Sequence, residues 1–115
     1  MNDITTRQLI CIVDDEKTNA ELVRMMLEDE YDICIAHTGE EALSVIRTRQ
    51  PDLVLLDIML PDISGYEVCE RLQEYEETSG IPVVFVTGLE DKYSEETGLE
   101  LGAADFVVRI GRAHV

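Results

Sequence analysis

The sequence predicts an open α/β domain built on a parallel sheet, and three observations carry that reading. Five short apolar runs of strand length alternate with segments of helical periodicity. Several of those runs are continuous rather than alternating, as strands buried on both faces are. Each polar terminus falls at the C-terminal end of its strand: Asp14 and Asp15 after the first, Asp57 on the third, Thr87 after the fourth and Arg109 after the fifth. Right-handed crossovers then give an open five-stranded parallel sheet; if its order is 2-1-3-4-5, the first and third strands lie side by side and their acids converge.

Leu9 to Val13 is the first continuous apolar run, and it stops at Asp14-Asp15-Glu16. From about Lys17 to Asp29 the periodicity is helical, with Ala20, Val23, Met26 and Leu27 expected on the buried face. Tyr31 to Ala36 alternates as a less central strand does. Thr38 followed by Glu41 has the spacing of a capping box and opens a helix from about Glu40 to Arg49 that buries Ala42, Leu43 and Ile46 and ends before Pro51. The central strand follows, Leu53-Val54-Leu55-Leu56-Asp57, and gives way to the turn residues Pro61, Asp62, Ser64 and Gly65. Ser64 and Glu67 repeat the capping spacing for a helix from about Gly65 to Glu76, with Val68, Cys69 and Leu72 inward. Ile81 to Val86 is the fourth strand, tolerating Pro82 at its start. Glu90 to Leu101 is a weaker helix, interrupted by Gly98, and Asp105 to Val108 is the fifth strand.

At 115 residues and 45% hydrophobic content the chain suits one domain, with a sheet core over 9–108 and a short tail over 109–115. No run approaches the roughly 20 apolar residues of a spanning helix, and the N-terminus lacks the apolar core of a signal peptide, so a cytoplasmic protein without a membrane partner is expected. A net charge of -16 argues against direct contact with nucleic acid and for affinity toward a cation. Cys11, Cys34 and Cys69 are widely spaced among apolar neighbours and read as buried reduced thiols. His37 and His114 read as surface residues.

Each polar residue has an ordinary explanation: an acid cluster favoured by a helix dipole, a turn hydroxyl, a surface arginine. Asp57 is harder to account for in that way, because a carboxylate following four buried residues costs several kcal/mol to desolvate unless something pairs with it. Three converging carboxylates call for a hard, oxygen-preferring ion such as Mg²⁺. A carboxylate beside that ion is placed to attack a phosphoryl donor, with Thr87 and Arg109 holding the phosphoryl oxygens from the other side. A Mg²⁺-dependent phosphohydrolase would want a second acid two residues after Asp57, where Met59 stands.

Asp14-Asp15, Leu55 to Gly65, Val86-Thr87-Gly88 and Leu101 to Phe106 together resemble the receiver domain of two-component response regulators, over about Leu9 to Val108. The resemblance implies the flavodoxin-like receiver fold. It implies Asp57 as phosphoacceptor, and Mg²⁺ held by Asp14, Asp15 and Asp57 with the backbone carbonyl of Met59. It further implies Thr87 as the switch hydroxyl and Phe106 as the aromatic that reports its movement. The phosphoryl donor would be a sensor histidine kinase or phosphotransfer protein, and the recipient of the signal an output domain or partner protein. Such a domain is a self-phosphorylating switch rather than an enzyme, apart from a weak autophosphatase activity. The alternative is a degenerate receiver that binds partners without being phosphorylated.

Departures from the family pattern bear on that alternative. Arg109-Ile110 replaces lysine followed by proline; arginine keeps the charge but is longer and fork-shaped. A cis bond before Ile110 would cost about 2.5–4 kcal/mol, so a trans bond is expected. The tail Gly111 to Val115 is too short for a normal fifth helix. Without that helix, apolar positions of strands four and five would be uncovered. The expectation is a domain taken from a longer regulator, or one covered by a partner or a second copy in a homodimer. Met59 and Leu89, both apolar, flank the acceptor in the family's geometry and predict slow loss of the phosphoryl group.

Overall fold

β1 (Leu9–Val13) is a run of branched and small apolar residues, and four of its five positions are buried. It lies inside the sheet, paired in parallel with β2 (Asp32–Ala36) on one side and β3 (Leu53–Asp57) on the other. The computed structural model describes residues 7–86 in full, and the strand backbone at 87, 88 and 105–109. β4 (Val83–Gly88) pairs with β3, and β5 (Asp105–Arg109) with β4, so the order is β2-β1-β3-β4-β5. The first four positions are those of the expected 2-1-3-4-5 order, with β1 beside β3 at the point where the strand order reverses. The expected helix over 90–101, the tail with its missing fifth helix, the bond before Ile110 and the role of Leu89 all lie outside the described residues.

Alternation along the strands sorts the core into two layers. Cys11, Val13, Cys34, Ala36, Val54, Leu56, Val83 and Phe85 face the helices α2 (Gly39–Arg49) and α3 (Gly65–Gln73), and meet Ala42, Ile46, Val68, Cys69 and Leu72. Tyr66 meets Phe85 edge to face, 5.3 Å between ring centroids. Ile10 and Ile12 face the other way, toward α1 (Lys17–Leu27), with Ile33, Ile35, Leu53 and Leu55 half-buried around them.

Two expectations about the helices are corrected. Met26 is 78% exposed, and Ala20, Val23 and Leu27 form the buried stripe of α1. The segment Leu22 to Leu27 carries five apolar residues, enough to line most of the circumference, but a helix lying on a sheet buries one side. The helix opening at Gly65 stops at Gln73, and a separate turn, α4 (Glu76–Ser79), follows Tyr75. Thr78 is fully buried there, and its hydroxyl donates to the Leu72 carbonyl at 2.6 Å. That bond satisfies one of the orphan carbonyls at the end of α3, which the intact helix would have paired internally.

The candidate phosphoryl and metal site

Four strand ends meet at the site. β1 runs out into Asp14, 5% exposed, and Asp15, exposed to solvent; β3 ends on Asp57, 6% exposed. Oxygens of the three carboxylates lie within 4.8 Å of one another. β4 brings Thr87 to the same edge, one position beyond the Val86 that pairs with Asp57, and β5 ends with Arg109 opposite Gly88. Phe106 sits within β5 opposite Phe85. For Thr87, Phe106 and Arg109 only the register is described.

Neighbouring backbone holds the acids. The Asp14 N–H donates to the Ala36 carbonyl at 3.0 Å, and one Asp14 carboxylate oxygen accepts from the Glu16 N–H at 2.9 Å. Glu16 is the N-cap residue of α1 and makes no side-chain cap bond; the carboxylate cluster is Asp14, Asp15 and Asp57. The Met59 N–H donates to an Asp57 carboxylate oxygen at 3.3 Å, while the Met59 side chain is 65% exposed.

His37, read above as a surface residue, is half-buried and part of this frame. Its Nδ1 lies 2.9 Å from the Asp14 carbonyl, which can only accept, so Nδ1 carries the proton. Its backbone N–H donates to Glu41 Oε1 at 2.8 Å. The Glu41 carboxylate therefore reaches back one residue further than a capping box requires, while its own N–H is bound by the Thr38 hydroxyl at 3.0 Å. At α3 the Ser64 hydroxyl accepts from the Glu67 N–H at 3.1 Å, but the Glu67 carboxylate pairs with Arg71 at 2.6 Å.

Asp62 has a role that its place in a turn does not announce. Its two carboxylate oxygens accept from the Gly39 and Glu40 N–H groups, each at 2.8 Å. Together with Thr38, it satisfies the first three backbone donors of α2. Those bonds, from Glu40 first and then Gly39, hold the Asp62 carboxyl at about 2, well below the ordinary carboxylate value. Close approaches fix the same loop: a Cβ on Gly65 would stand 2.2 Å from the Asp57 carbonyl oxygen, and one on Gly39 would stand 2.3 Å from Ile63 Cγ1. The loop leaving β3 is thus tied to α2.

The family model for the response regulator receiver domain matches residues 10–111. The chain belongs to that family. Among relatives of this receiver domain, the DNA-binding response regulator MtrA of Mycolicibacterium smegmatis is 41% identical over 106 residues, covering 91% of this chain and 45% of that protein. The receiver domain of NtrX from Brucella abortus superposes with a TM-score of 0.80 at 30% identity, over 91% of this chain and 88% of that one. The chemotaxis response regulator CheY4 of Vibrio cholerae superposes with a TM-score of 0.85 at 22% identity, covering 95% and 92% of the two chains, and supports the fold alone. This receiver domain spans less than half the length of the MtrA protein it matches. MtrA is a DNA-binding regulator, so the expectation of no direct nucleic-acid contact, drawn from the acidity of the domain, does not extend to a longer protein containing it. Among the described residues, no helix is long and apolar enough to cross a membrane.

Proposed function

We propose that this receiver domain accepts a phosphoryl group on Asp57 from a phosphohistidine of a sensor histidine kinase or phosphotransfer protein and passes the change to an output domain or partner. The observation that carries this reading is the convergence of Asp14, Asp15 and Asp57 within 4.8 Å, with Asp57 buried at the end of the central strand. Carboxylates so close repel one another, and their hard oxygen donors suit Mg²⁺, with the Met59 carbonyl as a further ligand. When bound, Mg²⁺ supplies positive charge that screens the acceptor from the incoming phosphoryl group. An Asp57 carboxylate oxygen forms the new bond to phosphorus as the phosphorus–nitrogen bond breaks, and that electron pair stays on the donor imidazole. Asp14 keeps its position through Ala36, Glu16 and His37. Thr87 and Arg109, at the ends of β4 and β5, hold the phosphoryl oxygens in this reading. Phe106 reports the movement of Thr87.

Intact mass after incubation with acetyl phosphate and Mg²⁺ tests the proposal. The expected result is a gain of one phosphoryl group that is absent in Asp57→Ala. No gain, in a protein that is folded and binds Mg²⁺, would replace phosphoacceptance with phosphorylation-independent partner binding.

A further inference from the structure

Away from the acids, Cys11 and Cys34 are direct partners in the parallel register of β1 and β2. Both side chains belong to the core layer that faces α2. Neighbouring strands run about 4.8 Å apart, inside the Cα separation of about 4.4–6.8 Å that a disulfide spans. The two thiols perturb each other in opposite directions, Cys34 pushing Cys11 up and Cys11 drawing Cys34 down. Cys11 is fully buried and Cys34 is 9% exposed, on the strand at the edge of the sheet. Cys69, the third free thiol, lies on α3 in the same core layer.

We propose that Cys11 and Cys34 form an oxidisable dithiol, which peroxide converts to an intramolecular disulfide linking β1 to β2. The two sulfurs are not equivalent. The neighbouring Cys11 thiol, assisted by Arg49, lowers the Cys34 thiol, while Cys34 and burial raise Cys11. Burial raises Cys69 to about 11. Cys34 is therefore the sulfur with thiolate character and an opening to solvent, and Cys11 the resolving thiol. Cys34 sulfur attacks the peroxide O–O bond, giving a sulfenic acid and water. Cys11 sulfur then displaces the hydroxyl from Cys34, which leaves as a second water with the Cys11 proton. Two thiols are oxidised, one peroxide is reduced, and a sulfur–sulfur bond remains. That bond would lie beneath the acid cluster, because Asp14 and Ala36, hydrogen-bonded to each other, follow the two cysteines by three and two residues.

The test is hydrogen peroxide treatment of the folded chain, quenching, denaturation, alkylation and intact mass, with peptide mapping under non-reducing conditions. The expected result is a loss of two hydrogens and a fall from three alkylated thiols to one, the survivor being Cys69, with full reversal by dithiothreitol. In Cys11→Ala, the sulfenic acid on Cys34 should persist and be trapped by dimedone; in Cys34→Ala, no linkage should form. Circular dichroism of each variant verifies folding, and Cys11→Val, which refills the core, replaces Cys11→Ala if that variant unfolds. Three alkylatable thiols after treatment, a linkage through Cys69, or a disulfide formed only in urea would each overturn the proposal.

Discussion

Gly65 shows how far the site depends on single atoms. The atom that a Cβ would meet at 2.2 Å is the main-chain carbonyl oxygen of Asp57, which cannot swing aside as a side-chain tip would. Gly65→Ala should therefore lower the urea midpoint, at a cost of about 2 kcal/mol or more, with little change in the slope of the transition. Asp62 makes a prediction about acid. Its folded-state value of about 2 lies below that of an unfolded aspartate, near 3.9, so the folded state favours its ionised form. Its contribution is thus complete above about pH 4 and is lost as pH falls toward about 2. Urea midpoints measured across that interval should decline more steeply for the parent than for Asp62→Asn, which keeps the shape without the titration. Neither Asp62 nor His37 was legible as a supporting residue. Their partners, Gly39 and Asp14, lie 23 residues away in sequence, and no local pattern encodes a contact of that separation.

At the scale of elements, β1 and β3 were read more accurately than the helices α1 and α3, for a physical reason. A strand buried on both faces leaves a continuous apolar run, and β1 and β3 begin and end where those runs do. A helix buries one side, and the sequence of α1 does not say which: Leu22, Val23, Met25, Met26 and Leu27 are all apolar, and Leu22, Met25 and Met26 are exposed. Met26→Lys should accordingly change stability by no more than about 0.5 kcal/mol. Ile46→Ala, on the fully buried side of α2, should cost about 2–5 kcal/mol. Thermal or urea unfolding of the two variants side by side checks the assignment of faces. The break between α3 and α4 was hidden differently: it depends on the Thr78 hydroxyl reaching the Leu72 carbonyl, a bond that helical periodicity does not record.

For the whole molecule, the dominant quantity is a net charge of -16, part of it gathered at one sheet edge as three carboxylates within 4.8 Å. Mg²⁺ should stabilise the fold by about 2.7 kcal/mol when present at a hundred times its dissociation constant. Sodium chloride of matched ionic strength should give only the general screening that any acidic protein receives. Asp57→Asn should raise the midpoint in the presence of EDTA, by relieving repulsion, and lose most of the further rise on adding Mg²⁺; calorimetric unfolding with and without the ion reads both effects. The acids themselves were legible, since they are polar residues ending apolar strands; chirality and alternation restrict the strand order that joins them to a few choices, and the family resemblance selects among those. The tie between Asp62 and α2 has a further consequence, for insertions and deletions. Surface loops usually absorb an extra residue at small cost, because closure entropy grows slowly with length. The segment from Ile58 to Gly65 is fixed at both ends by the Gly65 N–H on the Ile58 carbonyl, and in its middle by the Asp62 carboxylate on the first two N–H groups of α2. An added or removed residue between Asp57 and Asp62 would pull that carboxylate off the helix or drag β3 with it, so this loop behaves as a ruler of set length rather than a tether.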